Sequence, residues 1–272
     1  MNNRYSLTLK YIEIRRKRMD EIREGLIALF EEMLPLIKKF NKGSYNNIFE
    51  SGFEKYKHLV YAIEDLGKDM DEAEKAEQLD LIARYIPDYV LACSKKLTKK
   101  EYETFTVDYN MNMAVYVVPI LTYTRNRNCD YMAKKMVEYW NEIKVSPLTL
   151  SLSSYEDIAG GFKKKLCFIT TAVCESQNKP DDCYELTTLR DYRDHYLMQT
   201  VAGQELVDEY YDIAPAIVMM INMQNDSESI YDQLNENYIS KCIHLIEHGQ
   251  NEECQALYTD MVRNLQKQYL YS

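Results

Sequence analysis

The chain has 272 residues, 46% hydrophobic and 28% charged, a globular composition that excludes an intrinsically disordered protein. Its longest apolar run, Met113 to Tyr123, contains Pro119 and falls short of the roughly 20 residues of a membrane span, so no membrane crossing is expected. The formal charge of −10 is lopsided: residues 1–150 carry 24 Lys+Arg against 23 Asp+Glu, and residues 151–272 carry 9 against 20. The acidic half repels a phosphate backbone, so nucleic acid is not an expected partner.

Only 8 Gly and 6 Pro punctuate the chain, which favours helices joined by short turns and predicts an all-α fold. A long helix is expected over 5–40, because Ile22, Leu26, Leu29, Met33, Leu36 and Phe40 recur at steps of three and four. Pro35 should kink or break it near its end, and Gly43 is a plausible stop. Its basic run, Arg15 to Arg18, is followed by Asp20, Glu21 and Glu24, which can pair with it on a solvated face. A second helix is expected over 47–66 and a third from Asp71 to Tyr85, ending before Pro87 and followed by helical residues 88–95. Thr98 with Glu101 has the spacing of a capping box. The run from Ala114 to Thr122 has strand-like composition, yet no partner strand is evident, and it reads as buried helix kinked at Pro119. A helix from about Asp130 to Ile143 presents Met132, Met136, Trp140 and Ile143 on one side.

The Ser-, Thr- and Leu-rich stretch Val145 to Ser154, with Pro147, is the expected domain boundary. Ser153 with Glu156, and Asp182 with Glu185, look like helix starts. A helix over 201–213 follows, then one opened by Pro215, and a terminal pair over 228–248 and 251–270 separated by Gly249. The expected organisation is an N-terminal multi-helix domain (1–146), a small helical module (147–225) and a C-terminal helical pair packed on that module (226–272). The N-terminus has no apolar h-region, and seven cysteines is an odd number. Free thiols and a cytoplasmic setting are therefore expected.

The densest chemistry lies at Cys167, Cys174 and Cys183, followed by Arg190, Arg193, Asp194 and His195. Three readings compete. A zinc site would use the thiols, but their gaps of six and eight residues are not the tight knuckles zinc favours. A reactive Cys167 at a helix N-terminus, just after Lys163, Lys164 and Lys165, would have a depressed pKa, with His195 or Asp194 as base and orienter. In the third reading the cysteines are packed as small hydrophobes, and Arg190 and Arg193 pair internally. Separately, His244-Leu-Ile-Glu247-His248 fits the H-x-x-E-H pattern, but little chain remains downstream for a third ligand. His244 and His248 are therefore weak metal candidates, and no metal or cofactor is expected.

Residues from about 160 to 222 resemble the CFI-box C-terminal domain of uncharacterised bacterial proteins. The matching residues are Cys167-Phe168-Ile169, Thr171-Ala172, Leu189-Arg190, Arg193-Asp194, Leu197, Gly203, Tyr210-Tyr211 and Pro215. In place of the family's aromatic-Gly after the box stands Cys174-Glu175, and an insert carries Cys183. The resemblance implies a small helical module appended to varied N-terminal regions, with a docking or regulatory task. The function expected is a non-catalytic interaction or regulatory protein that binds a protein partner or itself. The alternative is a hydrolase or acyl transferase using Cys167, with His195, Arg190, Arg193 and Asp194 as helpers.

Overall fold

A computed structural model describes the backbone of residues 2–68, 70–163 and 167–270, and the side chains of these except 2–12, 100, 103, 104 and 161–163. All regular structure among the described residues is helical, which establishes the all-α class. None of these helices is long and apolar enough to cross a membrane. The chain forms two compact units, Met1–Lys38 with Asn47–Tyr155, and Lys39–Asn46 with Glu156–Ser272. The division at 155 lies downstream of the Val145–Ser154 stretch. The terminal helices group with the segment that carries Cys167, and the short stretch 39–46 joins them.

In the first unit, α1 (Asn2–Met33) buries Ile22, Leu26, Leu29, Phe30 and Met33 as one stripe. The α-helix stops two residues before Pro35, and the chain tightens into a 3₁₀ turn, Leu34–Lys39. Proline has no N–H to continue the α ladder, so the helix ends where its hydrogen bond would be missing. The basic run is partly engaged inside this unit: Arg15 pairs with Glu74 at 2.7 Å, and Arg18 donates to the Ala62 carbonyl at 2.7 Å.

Helix α2 (Tyr45–Glu64) is followed by α3 (Glu72–Ala83), capped by Asp71, whose carboxylate accepts the Glu74 N–H. The third helix ends before Pro87, as expected, but two residues ahead of Tyr85. It breaks at Arg84, and α4 (Tyr85–Ser94) takes Pro87 into its first turn, where a missing N–H is harmless. Helix α5 (Lys99–Asn112) opens with the Thr98–Glu101 capping box in full. One wide π-turn, Met113–Val117, then leads into α6 (Val118–Thr122). The turn returns the Val118 N–H to the Met113 carbonyl just ahead of Pro119, re-forming the ladder around the proline. Residues 113–118, 120 and 121 are all buried, so this is the unit's central helix, apolar on every side. That burial explains its strand-like composition.

Helix α7 (Arg127–Glu142) is capped by Asn126 and buries Cys129, Met132, Ala133, Met136, Val137 and Trp140. Asparagines hold several polar groups of this core. Asn112 donates to the Phe30 carbonyl at 2.8 Å. Asn110 accepts from the Trp140 indole at 2.8 Å and donates to the Leu148 carbonyl at 3.2 Å. Asn141 exchanges two 2.8 Å bonds with the Leu150 backbone, tying the Val145–Ser154 stretch to α7. The Ser153 hydroxyl donates to the Ala114 carbonyl.

In the second unit, α8 (Tyr155–Lys163) precedes α9 (Phe168–Ser176) and α10 (Tyr184–His195). The N-cap of α10 is Cys183, not Asp182, and Glu185 is held by Lys179 at 2.5 Å. Helix α11 (Val201–Asn222) runs without interruption through Pro215, which therefore sits inside a helix instead of opening one. Burial of Ala214, Ala216, Ile217, Met220 and Ile221 along the same helix holds it together across the one lost backbone bond. The remaining helices are α12 (Ser227–Leu234), a π-turn Asn235–Ile239, α13 (Ser240–Glu247) and α14 (Asn251–Leu270). Gly249 makes the α13–α14 turn at φ +71°, a conformation that favours glycine. Helix α11 packs on α9 and α14, and α10 packs on α9 and α13.

Two outcomes follow for the first unit. Asn110→Ala strands the Trp140 indole N–H and the Leu148 carbonyl in the core, and chemical denaturation should register a loss of about 2–4 kcal/mol. Cys129 is fully buried, and desolvation, helped by Glu64 and Asp130, pushes its thiol up to about 12. The folded value lies above the unfolded one, near 8.5, so this contribution is complete below about pH 8.5 and is lost as pH rises towards 12. Denaturation series between pH 8 and 11 should show a shallower alkaline decline for Cys129→Ala than for the parent chain.

Candidate functional site

Cys167 immediately precedes α9, with φ −79° and ψ 75°. Its carbonyl accepts the Thr171 N–H at 2.6 Å, while its side chain caps nothing and turns into the unit. The thiol is only 7% exposed. Burial raises its pKa, and this outweighs the lowering by the Arg193 and Arg190 charges. A depressed value was the premise of the reactive-thiol reading; the thiol is instead held in its neutral form. Lys164 and Lys165, and the side chain of Lys163, lie outside the described residues.

Arg193 is the group closest to that sulfur. It is 8% exposed, and its Nη1 lies 3.7 Å from Cys167 Sγ and 3.1 Å from the Tyr211 hydroxyl, donating to both. Its Nε and Nη2 donate to the two carboxylate oxygens of Asp194 at 2.8 and 2.9 Å. One guanidinium thus ties the start of α9 to α10 and α11. Arg190, three residues earlier, reaches outward to the Asp181 carboxylate at 2.6 Å and the Asp181 carbonyl at 2.8 Å. His195 departs further. Its side chain is 76% exposed, and its Nδ1 lies 2.8 Å from Asp191 Oδ1, its i−4 neighbour on the outer face of α10. So Cys167, Arg193 and Asp194 form one linked cluster, and both Arg190 and His195 are engaged elsewhere.

Ile169, Gly203 and Tyr210 were among the residues singled out in the sequence, whereas Thr170 and Tyr258 were not. The Ile169 N–H at the first turn of α9 donates to the Tyr210 hydroxyl at 2.9 Å. The Tyr258 hydroxyl, from α14, donates to that same oxygen at 3.4 Å, and Thr170 Oγ1 lies 3.3 Å from Tyr258. Burial pushes both tyrosines well above their usual pKa. Cys167, Arg193, Tyr210 and Tyr258 together line a cavity of about 90 Å³, whose remaining wall is largely apolar, including Leu189, Leu206, Val207 and Val262. Gly203 shapes the neighbouring turn. A Cβ there would stand 2.0 Å from the Leu197 carbonyl oxygen, so only glycine allows α11 to start this close to the Leu197–Gln199 turn. Tyr258 carries no local signal, because its partner Thr170 lies 88 residues away.

Two further groups could hold a metal among the described residues, their ligand atoms lying within 4.8 Å of one another: Cys174, Cys183 and Glu185, and His244, Glu247 and His248. The first is new. Folding brings Cys174 and Cys183 together despite their eight-residue gap, while Cys167 contributes no ligand atom to that group. Burial, reinforced by Cys183, raises Cys174 to about 12, and Glu185 is already paired with Lys179. The second group is exposed. Glu247, which a metalloprotease would need as its general base, accepts from the Tyr184 hydroxyl at 2.5 Å.

Compared with known proteins, the chain matches no protein-family model, no curated protein and no solved structure.

Because Cys167 is buried and neutral, its alkylation should follow unfolding rather than titration. Peptide-resolved mass spectrometry at pH 8 should show it reacting at least about tenfold more slowly than the half-buried Cys93 and Cys183. Fast labelling of Cys167 in the native chain would contradict this description.

Proposed function

We propose that this chain is a non-catalytic, cytoplasmic interaction or regulatory protein, and that its second unit is a CFI-box-like module whose shared residues build the fold. The observation that carries this reading is the use made of Arg193. Its guanidinium donates to Cys167, Asp194 and Tyr211 within the unit, and the thiol beside it is kept protonated. A thiol nucleophile needs a base in reach, and the histidine the sequence offers, His195, is held by Asp191.

A protein partner finds its best surface in the first unit. The groove between α3 and α7, about 450 Å³ in volume, is lined by Glu77, Asp80, Glu138 and Glu142 against Arg84 and Lys135. Leu81 lines it at 46% exposure. Arg84 is stacked 4.4 Å from the Tyr139 ring, and Lys135 is paired with Glu138 at 2.9 Å, so the groove has surplus negative charge. An apolar anchor with a helical or extended basic segment around it complements both features.

The second reading, a Cys167-dependent hydrolase or acyl transferase, rests on the thiol lining a cavity. It predicts stoichiometric acylation of Cys167 by activated esters, with turnover abolished in Cys167→Ala.

The test is crosslinking and affinity capture from the native lysate, done in parallel with the parent chain and Leu81→Asp, together with the sedimentation mass. A specific partner, or a self-associated species, that Leu81→Asp weakens at least about tenfold is the expected result. A strict monomer that captures nothing would overturn the proposal.

A further inference from the structure

Cys174, in the last turn of α9, faces Cys183 and Glu185 at the start of α10, and the three ligand atoms lie within 4.8 Å of one another. Cys183 hydrogen-bonds to Cys174, and the Glu185 carboxylate accepts from both Cys183 and Lys179. The connection between the two helices is fixed by its own bonds. The Lys179 N–H returns to the Cys174 carbonyl at 2.9 Å, and the Cys183 N–H to the Pro180 carbonyl at 3.0 Å. From α10, Arg190 holds the Asp181 carboxylate and carbonyl. The three donors are therefore gathered before any ion arrives, which lowers the ordering cost of binding one.

Two sulfurs and a carboxylate are a donor set for a thiophilic divalent ion, zinc before others. Around a tetrahedral zinc, donor atoms stand roughly 3.5–3.8 Å apart, so closing on the ion takes side-chain shifts of about 1 Å. The charges balance as well. Two thiolates and the Glu185 carboxylate outweigh the Lys179 ammonium by two, which a divalent ion cancels. The Lys179 contact, 2.5 Å to Oε1, does not compete with the ion, because a carboxylate has lone pairs for both. It orients the carboxylate, as the outer partners of metal ligands do. Without an ion, burial, reinforced by Cys183, pushes the Cys174 thiol up to about 12. A bound divalent ion supplies the positive charge that a buried thiolate otherwise lacks. Cys174 is buried while Cys183 and Glu185 are half-buried, so the group opens to solvent on one side, where water completes the fourth position.

We propose that Cys174, Cys183 and Glu185 form a zinc site at the α9–α10 junction, with three protein ligands and one position held by water. The site lies wholly within the second unit and is independent of the α3–α7 groove, so it goes beyond the partner-binding reading and does not depend on it. Occupancy ties the end of α9 to the start of α10.

The full chain, reduced and stripped of metal under argon, is titrated with Co²⁺ and then with Zn²⁺. One equivalent of cobalt is expected to bind, with thiolate-to-cobalt charge-transfer absorption and the visible bands of a four-coordinate ion. Zinc should displace it with a dissociation constant below about 1 µM. Cys183→Ala should weaken binding at least about 100-fold and remove the charge-transfer band, whereas Glu185→Gln should weaken it about tenfold and keep the band. His248→Ala, in the exposed group on α13, should change neither. Absence of stoichiometric uptake by the parent chain overturns the proposal. So does uptake without charge transfer, a band that survives in a folded Cys183→Ala, or binding lost in His248→Ala. Should Cys183→Ala unfold, alkylation of the parent chain decides. One equivalent of zinc that slows labelling of Cys183 at least about tenfold, with Cys93 unaffected, upholds the site, and unchanged labelling of Cys183 overturns it.

Discussion

Arg193 carries a permanent positive charge into a place with little water. Taking a guanidinium out of solvent costs several kcal/mol unless its donors are met with good geometry. Here the fork meets both oxygens of Asp194, and the remaining edge reaches the Tyr211 hydroxyl and the Cys167 sulfur. Each acceptor comes from a different place: the neighbouring residue on α10, helix α11, and the residue before α9. The charge can be buried only when these three are assembled. The second unit is therefore organised around one cation, and the cavity beside it is the space left when α11 and α14 close over that arrangement. The same arrangement explains why the thiol is quiet. Desolvation by the closing helices outweighs the attraction of the guanidinium for a thiolate.

Tyrosine has a related role throughout. The chain has 24 tyrosines against 7 phenylalanines, and many of their hydroxyls tie distant residues together. Tyr56 donates to Glu32, Tyr131 to Asp80, Tyr139 to Asp88, Tyr192 to the Asn251 carbonyl and Tyr231 to Asn222. Each ring contributes apolar area between helices while its hydroxyl reaches a carboxylate, amide or carbonyl. Packing of this kind defines which helix meets which with few glycines or prolines.

Local features were legible wherever the determining contacts are short in sequence. The Thr98–Glu101 box, the Ile22–Leu26–Leu29 stripe, the apolar side of α7 and the Gly249 turn all rest on residues within a few positions of one another. Pro87 marked its helix break to within a few residues, and Pro215 misled. Pro87 sits inside the first turn of α4 because the break falls earlier, at Arg84, and Pro215 is tolerated inside α11 because its flanks are buried. The π-turn at Met113–Val117 has no compositional signature beyond the proline that follows it. At the candidate site, Cys167, Arg193 and Asp194 were visible as a sequence cluster, but the outward turn of His195 was not. On α10 it lies one turn from Asp191, on the side away from Leu186, Leu189 and Arg193. The Thr170–Tyr258 contact spans 88 residues, and no local pattern announces it.

Trp140 is the only tryptophan in the chain, and it is fully buried in the first unit with its indole N–H bonded to Asn110. Intrinsic indole emission therefore comes from one unit alone. It reports whether that core is dry and intact, and it is optically blind to the unit that contains Cys167. Tyrosine emission, by contrast, arises from both. Exciting at the red edge, where tyrosine does not absorb, turns a single natural chromophore into a gauge of whether the two units melt together or apart.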